Sequence, residues 1–245
     1  MTVKVNARTV TITAPKFNSN TLTYTGSGQT ILNAGSCTTG GVMYYYKSTS
    51  STKPSFSISN WTTTAPTQET NAGTYYVWYY CYVSDTTNNT GSGINTVTAV
   101  SGNSKTINQR KLTVTAASKS KEYDGSPLTI NSATLSGHVS GHKLYSATYG
   151  GSQTTVGSSS STVSDAVIKS GSTIVTDNYD ITYANGTLTV TAASFTVSEP
   201  DQEYTYTGSP QGVAITVSEL KGSQTATIKY RTASSGDYTD RKSVV

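Results

Sequence analysis

Apolar and polar residues alternate along many short stretches of the chain, and no stretch of ten residues has a helical period. A period of two puts every second side chain on one face, which is typical of strands in antiparallel sheets. The pattern predicts strands at residues 41–47, 73–83, 95–100, 143–149, 164–168, 179–184, 212–220 and 226–231. Clusters such as TTNNTGSG and GSSSS separate these strands, and Asn185-Gly186 predicts a tight hairpin turn.

A strand followed by a turn occurs three times along the chain. The strand copies are TVTITAP at 9–15 and the identical LTVTAAS at 112–118 and 188–194. Each is followed by a Tyr-x-Gly-Ser turn, whose glycines are Gly26, Gly125 and Gly208 and can require positive φ. The repetition predicts domains at 14–115, at 116–191 and from 192 onward. Residues 1–13 are then the last strand of a preceding repeat or an N-terminal strand.

The stretch TNAGTYYVWYYCYV, residues 70–83, has the highest density of aromatic side chains. By strand parity, Tyr75, Val77, Tyr79, Cys81 and Val83 share one face, which is expected to point into the core because it carries both valines and the cysteine. The opposite, outer face carries Tyr76, Trp78, Tyr80 and Tyr82. Cross-strand packing against MYYYK at 43–47 is the favoured interpretation, and a platform that stacks sugar rings or another protein is the alternative.

Two segments in this region resemble a known family. YTGSGQTILNAGSCTTGGVMYYY and NWTTTAPTQETNAGTYYVWYYC are similar to the bacterial immunoglobulin-like repeats of Gram-positive surface proteins, over most of 14–100. Residues 116–191, with YDGSPL and NYDITYANGTLTVT, resemble the mostly-β, glycine-rich (YDG-type) adhesin repeat. Residues 192–239 resemble the first half of a further immunoglobulin-like unit. The resemblance implies an all-β fold of tandem small antiparallel β-sandwich repeats.

The C-terminal residues 240–245, DRKSVV, resemble the translation of a sequencing-library adapter. The expectation is therefore a fragment whose third repeat is truncated and whose last six residues are a non-native tail.

Composition favours several small cores over one large core. The hydrophobic fraction is 34%, and the chain contains 46 threonines and 36 serines. Only 12% of the residues are charged, and the formal net charge of +4 is spread without a basic block, so nucleic-acid binding is not expected. No apolar run of 18 residues occurs, so no membrane span is expected in this fragment.

The two cysteines of the chain, Cys37 and Cys81, both fall in the first predicted repeat. Repeats of the resembled family usually have no cysteine there. Secretion would permit a disulfide between them, worth about 2–4 kcal/mol, and two free thiols are the open alternative. Two cysteines alone make no convincing zinc site.

Other residues that could bind a metal ion or form a crosslink are better explained by structural roles. His138 and His142 have helical metal-ligand spacing, but Gly137 and Gly141 favour a hairpin. The acidic stretch SEPDQE at 198–203 is favoured as a solvated linker over an inter-domain calcium site. Lys111 or Lys121 with Asn185 would suit an isopeptide crosslink, yet no signature of the buried acid that it requires is present. No catalytic residue, metal or cofactor is predicted, and the chain is not expected to be an enzyme.

The resemblance implies a stalk or adhesin segment of a bacterial cell-surface protein, extracellular or in the cell wall, that projects other domains. One alternative is a module that binds host or dietary glycans or surface proteins through Tyr76, Trp78, Tyr80 and Tyr82. Another is a spacer within a large surface enzyme whose catalytic domain lies elsewhere.

Overall fold

The structure, a computed structural model, describes residues 1, 3–199, 201–209, 212 and 214–228. These residues form short β-strands, with one 3-10 turn at Thr176–Asn178 and no α-helix among them. The predicted all-β class is confirmed. The strands before residue 117 are β1 (Arg8–Thr9), β2 (Ile12–Thr13), β3 (Lys16–Phe17), β4 (Leu22–Thr23), β5 (Gln29–Thr30), β6 (Leu32–Asn33), β7 (Ser36–Cys37), β8 (Val42–Ser48), β9 (Gln68–Glu69), β10 (Gly73–Tyr82), β11 (Asn89–Thr90), β12 (Thr98–Ala99), β13 (Lys105–Asn108) and β14 (Arg110–Ala116). The following strands are β15 (Lys119–Glu122), β16 (Ala133–Ser136), β17 (His142–Gly150), β18 (Gly157–Ser170), β19 (Thr173–Ile174), β20 (Tyr179–Ala184), β21 (Gly186–Thr191), β22 (Thr196–Ser198) and β23 (Thr216–Ser218).

The chain divides into two compact units. Unit 1 comprises Met1–Val114, Leu135–Ser146 and Ala166–Thr182, and unit 2 comprises Thr115–Thr134, Ala147–Asp165 and Tyr183–Val245. The limits of these ranges fall inside β14, β16, β17, β18 and β20. The domain boundaries that the sequence suggests, at 14–115, 116–191 and 192–239, stay predictions, and residues 240–245 lie outside the described residues.

The long strand β10 organises unit 1. It pairs antiparallel with β8 along seven residue pairs, from Tyr76 opposite Ser48 to Tyr82 opposite Val42. Its other edge pairs antiparallel with β13, and β13 in turn pairs parallel with β4. The residues at 1–13 belong to the same unit, since β1 pairs with β11 and β2 with β7. The most deeply buried side chains of unit 1 include Ile31, Leu32, Val77, Val100 and Ile107.

In unit 2, strand β21 lies between two partners. It pairs parallel with β15, and antiparallel with the Gly157–Ser161 part of β18. Leu188 and Val190 of β21 are buried, as is Val163 of β18. The apolar residues of each strand thus alternate with polar ones, as expected where one face covers a core.

Four predicted strands, at 41–47, 73–83, 143–149 and 179–184, are confirmed to within one residue at each end. Those at 95–100 and 212–220 shrink to Thr98–Ala99 and Thr216–Ser218. The strand predicted at 226–231 is absent at 226–228, and its remainder lies outside the described residues. The predicted positive φ of the three turn glycines is confirmed, with 80° at Gly26, 82° at Gly125 and 74° at Gly208.

Two interpretations of small polar segments are wrong. GSSSS, expected to be a loop, is the start of β18, because Ser161 is fully buried and its Oγ donates to the carbonyl of Ala117 at 2.7 Å. Asn185-Gly186 is not a hairpin turn, because β20 and β21 belong to different sheets. A Cβ at Gly186 would lie 2.5 Å from the carbonyl oxygen of Ala116, so glycine is needed there for close backbone packing.

Candidate functional site

The inner face of the tyrosine-rich strand β10 packs as its parity predicts. Val77 and Cys81 are fully buried, and Val83, just beyond the strand, is 2% exposed. Tyr75 is also buried, and its hydroxyl donates to the carbonyl of Asn71 at 2.8 Å. Tyr79 is only half-buried. This face of β10 therefore serves the core of unit 1.

The opposite face of β10 meets β8 in the way that the packing interpretation predicts. Trp78 lies opposite Tyr46, and Tyr80 lies opposite Tyr44. The ring centroids of Tyr46 and Trp78 are 6.1 Å apart. Such cross-strand aromatic pairs stabilise a sheet by about 0.2–1 kcal/mol each.

A segment between β8 and β9, residues 49–62, covers this second face. Phe56 stacks on Tyr80 with ring centroids 3.7 Å apart and an angle of 7° between the rings. Trp61 packs 5.6 Å from Tyr46 and 6.2 Å from Tyr80, and its indole nitrogen donates to the carbonyl of Ser55 at 3.1 Å. We call these rings the aromatic layer, which consists of Tyr44, Tyr46, Phe56, Trp61, Tyr76, Trp78, Tyr80 and Tyr82.

The face that the sequence predicts as an outer surface is partly covered by the aromatic layer. Trp78 is 4% exposed and Trp61 is 6% exposed, so both indoles are buried. Tyr76, Tyr80 and Tyr82 are half-buried. Sequence parity could not reveal this, because the cover comes from a serine- and threonine-rich loop. The one signal was the isolated Phe56 and Trp61 within that polar loop.

The chemistry of the aromatic layer is that of packing. Burial raises the pKa of Tyr80 above its ordinary value, and the neighbouring Tyr82 raises it further, so the phenol stays neutral at physiological pH. Among the described residues, no group of three histidine, cysteine or acidic side chains is placed to hold a metal ion. Whether Tyr76, Trp78, Tyr80 and Tyr82 bind a ligand stays a prediction.

The structure joins Cys37 and Cys81 in a disulfide, with 6.3 Å between their Cα atoms. Cys81 packs with Val10 and Val83 in a small apolar cluster. Gly41 lies against this bond, since a Cβ there would be 2.7 Å from Cys81 Sγ. The disulfide thus connects the short strand β7 to the C-terminal end of β10.

His138 lies in the turn between β16 and β17, and His142 is the first residue of β17. The hairpin expected from Gly137 and Gly141 is wrong, because β16 and β17 belong to different sheets. Both glycines have positive φ, at 89° and 83°. His142 is 6% exposed, and its Nδ1 is 2.6 Å from the hydroxyl of Tyr179. Burial lowers the pKa of His142 below its ordinary value, and nearby His138 lowers it further. His142 is therefore a neutral packing residue at pH 7.

The two lysines considered for isopeptide crosslinks form ion pairs. Lys111 Nζ lies 2.7 Å from Asp180 Oδ2 at the surface. Lys121 Nζ lies 2.6 Å from Asp124 Oδ1 and also donates to the carbonyl and hydroxyl of Ser126. This network holds the pKa of the Asp124 carboxyl far below its usual range. The described residues of the acidic stretch at 198–203 are exposed.

Comparison with solved structures finds a similarity to fibronectin(III)-like modules. The fibronectin(III)-like modules of Clostridium thermocellum CbhA share 16% sequence identity, over 73% of this chain and 94% of theirs, with a TM-score of 0.21. At that TM-score the similarity carries no argument, and the all-β class follows from the strands themselves. No protein-family model and no curated protein matches the chain. Within the part of the chain that the structure describes, no helix is long and apolar enough to cross a membrane.

Proposed function

We propose that this chain is a load-bearing stalk segment of an extracellular protein, whose β-sandwich repeats project other domains from a bacterial surface. The observation that carries the proposal is the way in which the predicted repeats begin and end. In the predicted repeats at 14–115 and 116–191, a strand near the start pairs parallel with a strand near the end.

The clearest case lies in unit 2, where β15 opens and β21 closes the predicted repeat at 116–191. Their parallel pairing runs over four residue pairs, from Lys119 with Leu188 to Glu122 with Thr191. The backbone N–H of Thr187 donates to the hydroxyl of Ser118 at 3.0 Å before this ladder. The backbone N–H of Ser194 donates to Glu122 Oε1 at 2.8 Å after it. We call this set of contacts the unit 2 clamp.

A shorter counterpart lies in unit 1. Strand β4 pairs parallel with β13 through Leu22 with Ile107 and Thr23 with Asn108. Lys105 of β13 reinforces the contact, because its ammonium donates to the carbonyl of Asn18 at 2.5 Å and to that of Asn20. The same arrangement therefore recurs in two sequences that share little besides their repeat motif.

Parallel pairing of a strand near the start with a strand near the end suits a repeat that carries tension. The N-terminal end of the entry strand and the C-terminal end of the exit strand lie at opposite ends of a parallel pair. Tension along the chain therefore slides one strand past the other and loads the evenly spaced ladder hydrogen bonds together. If tension instead pulled the two strands apart from one end, the hydrogen bonds would break one after another.

A disulfide bond in unit 1 supports the same proposal. The disulfide between Cys37 and Cys81 is suited to an oxidising, extracellular compartment. We propose no catalytic role for any residue, so the chain serves equally as the spacer of a surface enzyme. Ligand binding through the aromatic layer is the less favoured function, because Phe56 already occupies the face of Tyr80 on which a sugar would stack.

The test is to stretch the full chain between its ends in single-molecule force spectroscopy. Load-bearing repeats are expected to unfold in discrete steps at a reproducible force. A smooth extension at low force, without steps, would show that the repeats do not resist tension and would refute the proposal.

A further inference from the structure

A groove on unit 1, remote in sequence from the aromatic layer, combines positive charge with an exposed aromatic ring. It lies where β17 and β18 run side by side, and its volume is about 360 Å³. The residues that line it are Gly141, Lys143, Leu144, Tyr145, Lys169 and Gly171. Tyr145 is 66% exposed, which is unusual for a large ring on a strand.

The two lysines of the groove are available to an anion. Lys169 Nζ lies over the Tyr145 ring, 3.3 Å from its centroid. Lys143 is exposed and, two residues before Tyr145 on the same strand, projects to the same side. Neither lysine takes part in any salt bridge between described residues. The groove therefore presents two ammonium groups beside an aromatic face.

Two glycines leave open space in the lining of the groove. A Cβ added at Gly141 or at Gly171 would meet no atom within 4 Å. Both glycines have positive φ, so these positions favour glycine, which adds no side chain to the lining. The open space beside them allows a bound sugar to be part of a longer chain.

From this geometry we infer that the groove binds an acidic polysaccharide, with Lys143 and Lys169 contacting its carboxylates. The exposed face of the Tyr145 ring, opposite the one that Lys169 covers, stacks on a pyranose ring. The volume fits one or two sugar rings and lies in the range of small-ligand sites. A protein partner would need about 800 Å² of surface on each side, far more than these residues provide. The inference is independent of the proposed load-bearing function.

The experiment is affinity electrophoresis of the full chain in gels that contain polygalacturonate. Wild-type protein is expected to be retarded, and Tyr145→Ala to weaken binding about tenfold, equivalent to about 1.4 kcal/mol. Lys143→Gln/Lys169→Gln is expected to abolish retardation. Lys169→Arg retains the charge and is expected to preserve it.

Matched variants separate a specific groove from general charge attraction. Lys53→Gln/Lys119→Gln removes two exposed lysines elsewhere, and Tyr206→Ala removes a ring that is 92% exposed, so both are expected to bind within about twofold of wild type. The inference is overturned if wild type is not retarded, if either matched variant weakens binding as much as its groove counterpart, or if neutral dextran retards the chain equally. Tyr145-dependent binding of polyglutamate would also overturn it, in favour of an acidic protein.

Discussion

Reduction of the Cys37–Cys81 disulfide is expected to destabilise unit 1 by about 4 kcal/mol. The bond closes a loop with a sequence separation of 44 residues. The chain-entropy relation for a loop of that length gives a loss of about 13 cal/mol/K in the unfolded ensemble, hence about 4 kcal/mol at 25 °C. Cys81 is buried with Val10 and Val83, and Cys37 packs against this cluster.

The assay is thermal or urea unfolding, followed by near-ultraviolet circular dichroism, with and without a phosphine reductant. For a unit of this size, about 4 kcal/mol corresponds to a fall in the unfolding temperature of roughly 8–16 °C. The control is Cys37→Ala/Cys81→Ala, whose unfolding should not respond to reductant. Under tension, the reduced chain should also release about 150 Å more length, since the bond shields 44 residue spacings from extension.

Two results would refute this reasoning. Intact mass after alkylation of the unreduced protein would add two alkyl groups if the thiols were free. Alternatively, an unfolding temperature that reductant leaves unchanged would show that the bond, even if present, does not constrain the unfolded chain.

Three further predictions concern packing and protonation. Phe56→Ala should lower the free energy of unfolding by about 2 kcal/mol, because the stack on Tyr80 is lost. The control Ile58→Ala, at a side chain 55% exposed on the same segment, should change it by less than about 0.5 kcal/mol. Equal effects of the two variants in urea unfolding would contradict the packing of the aromatic layer. Burial lowers the pKa of His142 in the folded chain, so the unfolded chain binds a proton more readily and stability should fall as pH drops below about 6.5. If His142→Gln and wild type show the same pH dependence of the melting temperature, His142 is not the residue responsible. Gly186→Ala should destabilise unit 2 by about 1–3 kcal/mol through contact with backbone carbonyls, and an unchanged urea midpoint would show that the backbone adapts.

Local sequence signals predicted the elements that depend on local chemistry. Alternation located β10 and β20, and the Tyr-x-Gly-Ser motif located three turns with positive φ. Both signals act over a few residues, because side-chain period and glycine's φ freedom are properties of the segment itself. The packing of β8 against β10 was also predictable, since neighbouring aromatic strands are natural partners.

Features that depend on distant partners were not predictable. Ser161 is buried in β18 because the Ala117 carbonyl accepts its hydrogen bond, and a serine run alone carries no sign of that acceptor. Asn185-Gly186 has the composition of a hairpin, but the chain crosses there from one sheet to another. Tyr80 is partly covered because Phe56, from a loop more than fifteen residues earlier, stacks on it. In each case a tertiary contact overrides the local pattern.

The candidate site was also only partly predictable from the sequence. Parity assigned Tyr76, Trp78, Tyr80 and Tyr82 to one face of β10, and they do lie on the face opposite Val77. It could not show that Phe56 stacks on that face. Nor did the sequence single out Tyr145 and Lys169, which lie on different strands and approach each other only in the folded sheet.

The load-bearing account is tested most directly by changing the direction of tension on the unit 2 clamp. Handles at Ser118 and Ser194 would pull β15 and β21 lengthwise past each other, whereas handles at Ser118 and Asn185 would separate the same pair from one end. The account predicts a several-fold higher unfolding force for the first geometry, because the ladder hydrogen bonds then share the load. Equal forces in the two geometries would contradict it.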